Sequence, residues 1–197
     1  MTVMETADFK MVSGTGDWIQ TFSGRQFWPL DPKPEHVHIV DVAHALSHLC
    51  RYAGHCTKFY SVAEHSLLLT WALRRDGYSD DVQRWALMHD APEAYVVDMP
   101  RPIKRRMREY KAIENMVETA VAVRFGLPLV IPDIVHEYDS RICNDERRYM
   151  MNPCVVDWGD MGAPLDVRPF FFDSKSVKTH FLTEFDILFP SVKSTFC

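Results

Sequence analysis

No run of about 18 apolar residues occurs in the chain, which excludes a membrane-spanning helix of ordinary length. The first 20 residues carry acids and polar groups where a signal peptide needs a basic end and an apolar stretch, so the expected location is cytoplasmic. No Cys-x-x-Cys pair is present. The five cysteines, Cys50, Cys56, Cys143, Cys154 and Cys197, form an odd, scattered set, which argues against both a disulfide framework and a cysteine zinc ribbon. Positive charge is short as well. A formal net charge of −5 weighs against a nucleic-acid partner, because binding a duplex needs clustered cations, although a local basic patch can still serve a phosphate ligand. Repeats, low-complexity tracts and linker-like stretches are missing, and 197 residues that are 47% hydrophobic suffice for one buried core.

What is present is helical patterning behind an irregular start. Gly14, Gly16, Gly24, Pro29, Pro32 and Pro34 punctuate residues 1–40 too densely for long helices, and predict an extended arm with short strands or turns packed on the core. Residues 41–197 read as a single helical domain. Asp41 is a candidate cap for a helix to about Tyr52, stopped by Gly54. Ser61 and Glu64 have the three-residue offset of a capping box and open a helix to about Arg75, apolar nearly all round and so expected at the centre. Further helices are predicted at 80–90, 109–125, 133–150 and 173–188. The two prolines of Asp98-Met-Pro-Arg-Pro-Ile-Lys104 predict a loop or broken turn between the third and fourth of these six helices.

Polar groups on apolar faces need partners, because burying an unpaired charge is costly. His65 shares a face with Leu68, Leu69 and Ala72; His89 continues the stripe Val82, Trp85, Ala86; Asp139 continues Val135, Tyr138, Ile142. A divalent cation would satisfy all of them at once, with imidazoles and carboxylates of the kind that bind Zn, Mn, Fe or Co. Asp90 follows His89 at a helix end, where both can reach one ion. The bland alternatives are a hydrogen-bonded core histidine at position 65 and, for Asp139, an ordinary ion pair with Arg141 or Arg147.

The longer combination narrows the choice. Tyr60-Ser-Val-Ala-Glu-His65-Ser, Ala86-Leu-Met-His-Asp-Ala-Pro-Glu93, Asp98-Met-Pro-Arg-Pro-Ile-Lys104, and Asp139 with Glu146-Arg-Arg148 resemble the H…HD…D signature of the HD-domain phosphohydrolase superfamily. The likeness is to the branch of YfbR-type deoxynucleotidases, YfdR-type prophage phosphohydrolases and phage enzymes that remove dATP. It implies an all-α HD-domain bundle, commonly assembled as a dimer or higher even homo-oligomer, and metal ligands at His65, His89, Asp90 and Asp139. The metal could be Mn, Co, Zn, Fe or Mg. The resemblance places Glu93 near an attacking water and Asp98 beside it among the catalytic residues, and gives Arg51 and Lys104 to the substrate phosphate. Tyr52 stands where relatives carry a tryptophan that packs on the nucleoside, and Gly54 where a bulkier residue can crowd the base; Gly54 reads equally well as a plain helix stop. Arg105, Arg106 and Arg108 add a basic run, a pattern more often a solvated helix face than a site.

The function expected from this resemblance is metal-dependent hydrolysis of a deoxynucleotide, first of all dATP to deoxyadenosine and triphosphate, with a 5′-deoxynucleotidase acting on monophosphates as the alternative. A non-catalytic nucleotide sensor of the same fold is the reading from another class, and a retained Glu93 speaks against it.

Overall fold

The computed structural model describes residues 14–192; residues 1–13 of the expected arm, and Cys197, lie outside the described residues. The described part of the arm forms an antiparallel hairpin, β1 (Ile19–Gln20) and β2 (Gln26–Phe27), with Ile19 opposite Phe27. A 3-10 turn at Pro34–His36 follows. Phe27 and Trp28 are buried and fasten the arm to the core. Asp41 adds a polar anchor. Its carboxylate accepts the Ser23 amide at 2.7 Å and the Ser23 hydroxyl at 2.8 Å, so it ties down the hairpin rather than capping a helix. The first helix, α1 (Ile39–His48), starts ahead of Asp41 because Ile39 and Val40 are both buried and packing sets its beginning.

That helix also ends earlier than its sequence pattern predicts. Cys50 pairs antiparallel with Ser61, the Arg51 amide donating to the Tyr60 carbonyl at 2.9 Å and Val62 to Leu49 at 3.0 Å. The chain must therefore reverse within the intervening segment. It does so through Tyr52, Ala53 and Gly54, all with left-handed backbone angles (φ 54°, 51° and 81°). Only the glycine adopts that region without steric cost.

The second helix, α2 (Val62–Arg75), lies against α1 and against three later helices: α3 (Asp80–Met88), α7 (Asp133–Met150) and α8 (Ser174–Leu188). Its central place matches its sequence, since Val62 through Thr70 are buried without a break. Half of the capping box forms: Ser61 Oγ accepts the Glu64 amide at 3.1 Å. The Glu64 carboxylate turns elsewhere and accepts the amides of Phe170, Phe171 and Phe172 at 2.6, 2.9 and 3.0 Å. The polar face of α7 steadies the irregular stretch that follows it: Arg141 and Asn144 donate to the carbonyls of Ala163 and Gly162, and Asp145 accepts the Leu165 amide.

Two short helices follow α3: α4 (Glu93–Val96) and α5 (Arg101–Lys104), the second within the break expected at Asp98–Lys104. Pro100 flanks α5 and Pro102 sits in its first turn, where no amide proton is needed, so the prolines start a helix there. A longer helix, α6 (Arg108–Phe125), close to the bounds expected from the sequence, ends on left-handed Gly126.

Glu64→Ala strips three backbone amides of their acceptor. The expected loss is about 3 kcal/mol, a fall in melting temperature of roughly 6–12 °C for a chain of this size. Thermal unfolding followed by circular dichroism measures it; a shift under about 2 °C would mean that water replaces the carboxylate.

Candidate metal centre

Three helices aim their polar side chains at one point. His65 projects from the second turn of α2, His89 from the end of α3, and Asp139 from the middle of α7. One ligand atom from each of His65, His89 and Asp139 lies within 4.8 Å of the others, which makes them a group able to hold a metal ion. Asp90 falls outside that group, yet its Oδ2 stands 3.6 Å from His65 Nε2 and 3.3 Å from His89 Nε2. His65 Nε2 is 3.2 Å from Asp139 Oδ1.

The outward nitrogens of the two rings decide what the inner ones offer. His89 Nδ1 lies 2.8 Å from the Ala86 carbonyl, which can only accept, so Nδ1 carries the proton. His65 Nδ1 lies 2.7 Å from Glu146 Oε1 and donates likewise. Both Nε2 lone pairs then face each other across 3.3 Å, with carboxylate oxygens alongside. Such a set of acceptors is repulsive unless a cation or a proton sits among them, and the carboxylate behind His65 is the outer support that fixes an imidazole ligand's tautomer. The donor chemistry fits a divalent metal.

Charge follows the same geometry. Burial and the Arg51 guanidinium push His65 down, but Glu146 and hydrogen bonds to Asp139 and Glu146 outweigh them and raise it to about 9. Burial pushes Asp90 and Asp139 up, and the neighbouring imidazoles more than offset it, holding both carboxyls well below the usual range. Without metal, a proton on His65 takes the place of the cation.

Glu146 is fully buried and has four donors: His65, Tyr60 at 2.9 Å, Arg51 at 3.2 Å and the Tyr52 hydroxyl. Arg51 and His65 overcome its burial and keep it ionised, down to about 2. Arg51 thus stands beside the cluster, as expected, with its guanidinium shared between Glu146 and Asp90, the latter at 3.5 Å. Tyr52 turns its hydroxyl inward to Glu146 and sets its ring against Trp158, the centroids 5.6 Å apart. Gly54 is exposed, and a Cβ there would meet nothing within 4 Å; its left-handed angle serves the chain reversal, and since α1 already ends at His48 it is not that helix's stop.

Glu93 opens α4 one tight turn after Asp90, its amide donating to the Asp90 carbonyl at 3.0 Å. Its Oε1 is 3.4 Å from Lys104 Nζ, while its buried Oε2 has no hydrogen-bond partner. Burial, then Asp90 and Asp98, push the Glu93 carboxyl well above the usual range. Burial also raises Asp98, which is half-buried. Lys104 bridges Glu93 to Glu114.

Sequence reading gave no role to Arg101, Tyr60 or Glu146, and missed Glu114. Arg101, not Arg141 or Arg147, is the cation on Asp139, at 2.8 Å; the other two pair with Glu137 and Asp157. A signal for Glu146 existed, since it follows Asp139 by seven residues, two helical turns on the same face. The contacts of Arg101, Tyr60 and Glu114 cross between elements and left no periodic trace.

No family model matches the chain. The uncharacterized protein YfdR of Escherichia coli (strain K12) is 37% identical over 131 residues, 66% of this chain and 71% of that protein. An uncharacterized protein of Rhodobacter capsulatus is 40% identical over 120 residues, 58% of this chain and 61% of the relative, so the chain spans less than two thirds of it.

The purified chain is expected to hold about one divalent transition metal, read by elemental analysis, and His65→Ala to lose it. Glu146→Gln, which keeps the shape but loses the charge behind His65, should weaken metal binding about 10–100-fold. Titrating metal into stripped protein at pH 7, below the raised value of His65, should release about one proton per ion, measured by calorimetry in buffers of different protonation enthalpy. Chelated protein that takes up no metal would overturn the assignment.

Proposed function

We propose that this chain, which belongs to the family of the Escherichia coli protein YfdR, is a metal-dependent phosphohydrolase of the HD-domain kind that acts on a deoxynucleotide. One observation carries the reading. His65, His89, Asp90 and Asp139 converge their acceptors, and one tight turn after Asp90 stands Glu93, whose buried Oε2 has no hydrogen-bond partner.

His65, His89, Asp90 and Asp139 would hold the ion, with Glu146 fixing the His65 ring. When bound, a divalent ion supplies Lewis acidity toward phosphate oxygen and acidifies water. The chain's own residues do the rest. Lys104 holds Glu93 by Oε1 and leaves Oε2 to take the proton from water as its oxygen attacks phosphorus and the bond to the leaving group breaks. The raised proton affinity of Glu93, caused by burial and by Asp90 and Asp98, makes its carboxylate the stronger acceptor for that proton, which the resulting carboxylic acid then gives to the departing oxygen. Arg51 and Lys104 flank the site as cations for phosphate, the guanidinium as a fork and the ammonium as a point charge.

Deoxyadenosine triphosphate is the first choice of substrate, on the resemblance of the motifs to the phage enzymes, with deoxyadenosine and triphosphate as products. An even-numbered homo-oligomer belongs to the same reading.

Glu93→Ala is expected to keep its metal and helical signal while turnover falls about 100-fold or more. His89→Ala should lose metal and turnover together. Arg51→Ala and Lys104→Ala should weaken all good substrates alike, whatever the base. A screen of deoxynucleoside mono-, di- and triphosphates with product identification, run with Mn, Co, Mg and Zn, checks the substrate. Activity confined to monophosphates would move the chain to the nucleotidase reading, and normal turnover in Glu93→Ala would remove Glu93 from the mechanism.

A further inference from the structure

The cysteines are scattered along the chain, and the fold brings two of them together. Cys50 and Cys56 stand at either end of the left-handed reversal that carries Arg51 and Tyr52. Cys56 Sγ donates at 3.5 Å to the carbonyl of Arg51, the residue next to Cys50, and is in side-chain hydrogen-bond contact with the Cys50 thiol. Both side chains are half-buried, so a small reagent can reach them. The other cysteines among the described residues are placed differently. Cys143 is buried and turns to the Asp139 carbonyl at 3.3 Å, and Cys154 is exposed.

The backbone on each side of the pair is pinned. Cys50 pairs with Ser61, and its neighbours Leu49 and Arg51 are hydrogen-bonded to Val62 and Tyr60. Thr57, just after Cys56, donates its amide to the Met150 carbonyl on α7 at 2.8 Å. Between these anchors the turn is held by the His55 amide on the Tyr52 carbonyl at 3.0 Å, and by the Arg51 and Tyr52 side chains on Glu146. Its left-handed Tyr52 and Ala53 work against it. A disulfide needs sulfurs about 2 Å apart and Cα atoms within about 7 Å, and thiols already in contact are a short side-chain movement from that geometry.

We propose that Cys50 and Cys56 are a redox modification site, forming a reversible disulfide that staples the turn delivering Arg51 and Tyr52 to Glu146. The oxidant is a small disulfide of the glutathione type. The Cys50 thiolate attacks one of its sulfurs, which makes a mixed disulfide and releases one small thiolate; Cys56 then gives up its proton and attacks the Cys50 sulfur, releasing the second. The two protons lost by the cysteines end on the two released thiols, and the protein is oxidised by two electrons as the reagent is reduced by two. Burial and the Cys50 thiol push Cys56 up to about 12, which keeps it protonated and suits it to the second, intramolecular step. This site is independent of the reaction proposed above.

The test treats the full chain with excess glutathione disulfide, caps the remaining thiols with iodoacetamide and maps the bonds by peptide mass, with Cys56→Ser alongside. Wild type is expected to give an internal Cys50–Cys56 bond that dithiothreitol reverses, and Cys56→Ser to trap glutathione on Cys50. The oxidised form should melt roughly 5–9 °C above the reduced form, the scale for a bond closing so short a loop in a chain of this size. Amide hydrogen exchange across residues 51–56 should slow about tenfold or more on oxidation. Wild-type thiols at both positions that stay open to iodoacetamide would overturn the proposal, as would a bond made instead to Cys143, Cys154 or a second chain. A Cys50–Cys56 bond that leaves exchange in the turn unchanged would also overturn it, because the bond would then hold nothing. The wild-type mapping stands alone if the variant fails to fold. None of these readouts involves turnover, so failure of the phosphohydrolase reading leaves them untouched.

Discussion

The buried carboxylate of Glu146 is the constraint on which the centre of this molecule depends. A lone charge with no solvent exposure is untenable, and here it is satisfied by His65, Tyr60, Arg51 and Tyr52. These donors come from the start of α2 and from the loop before it, so one side chain on α7 joins three parts of the chain. It fixes the tautomer of His65, and with it the direction of the Nε2 lone pair toward His89 and Asp139. Loss of this acceptor would leave His65 Nδ1 and the hydroxyls of Tyr60 and Tyr52 without a partner, Arg51 with Asp90 alone, and the metal group without its alignment.

The same carboxylate accounts for the strained turn after α1. Tyr52 and Ala53 adopt left-handed angles that cost non-glycine residues about 1 kcal/mol or more each. The bridge between Cys50 and Ser61 forces the reversal, and the Tyr52 hydroxyl on Glu146 holds it. Arg51 enters the centre from this turn, with Glu146 on one side and Asp90 on the other. A segment that reads as the tail of an amphipathic helix is spent on orienting two charges.

On the opposite side of the cluster the acids are divided differently. Asp90 and Asp139 are held ionised by imidazoles, whereas Glu93 is held toward its protonated form by burial and by Asp90 and Asp98. Separating carboxylates into low and high proton affinity within one site is what the proposed division between metal ligands and proton acceptor would require. Lys104 keeps the high-affinity member in place.

Sequence by itself determined the helical class, the bounds of α6 and α7 nearly to the residue, the centrality of α2, and the inward placement of His65, His89 and Asp139. These follow from local rules: apolar residues recur with the helical period, caps have their own chemistry, and a polar residue on an apolar face must meet a partner. The end of α1 and the work of Asp41 were not legible, because a backbone bridge to Ser61 and a hairpin at Ser23 override local propensity. Tyr52 read as an aromatic platform, and only packing showed its hydroxyl committed to Glu146. The partners of Asp139 and Glu64 also come from segments distant in sequence, Arg101 from α5 and the amides of residues 170–172. Pattern reports which way a side chain points from its own helix, whereas what it meets there is settled when the other helices arrive, since hydrogen bonds and ion pairs act over a few ångströms of space without regard to distance along the chain.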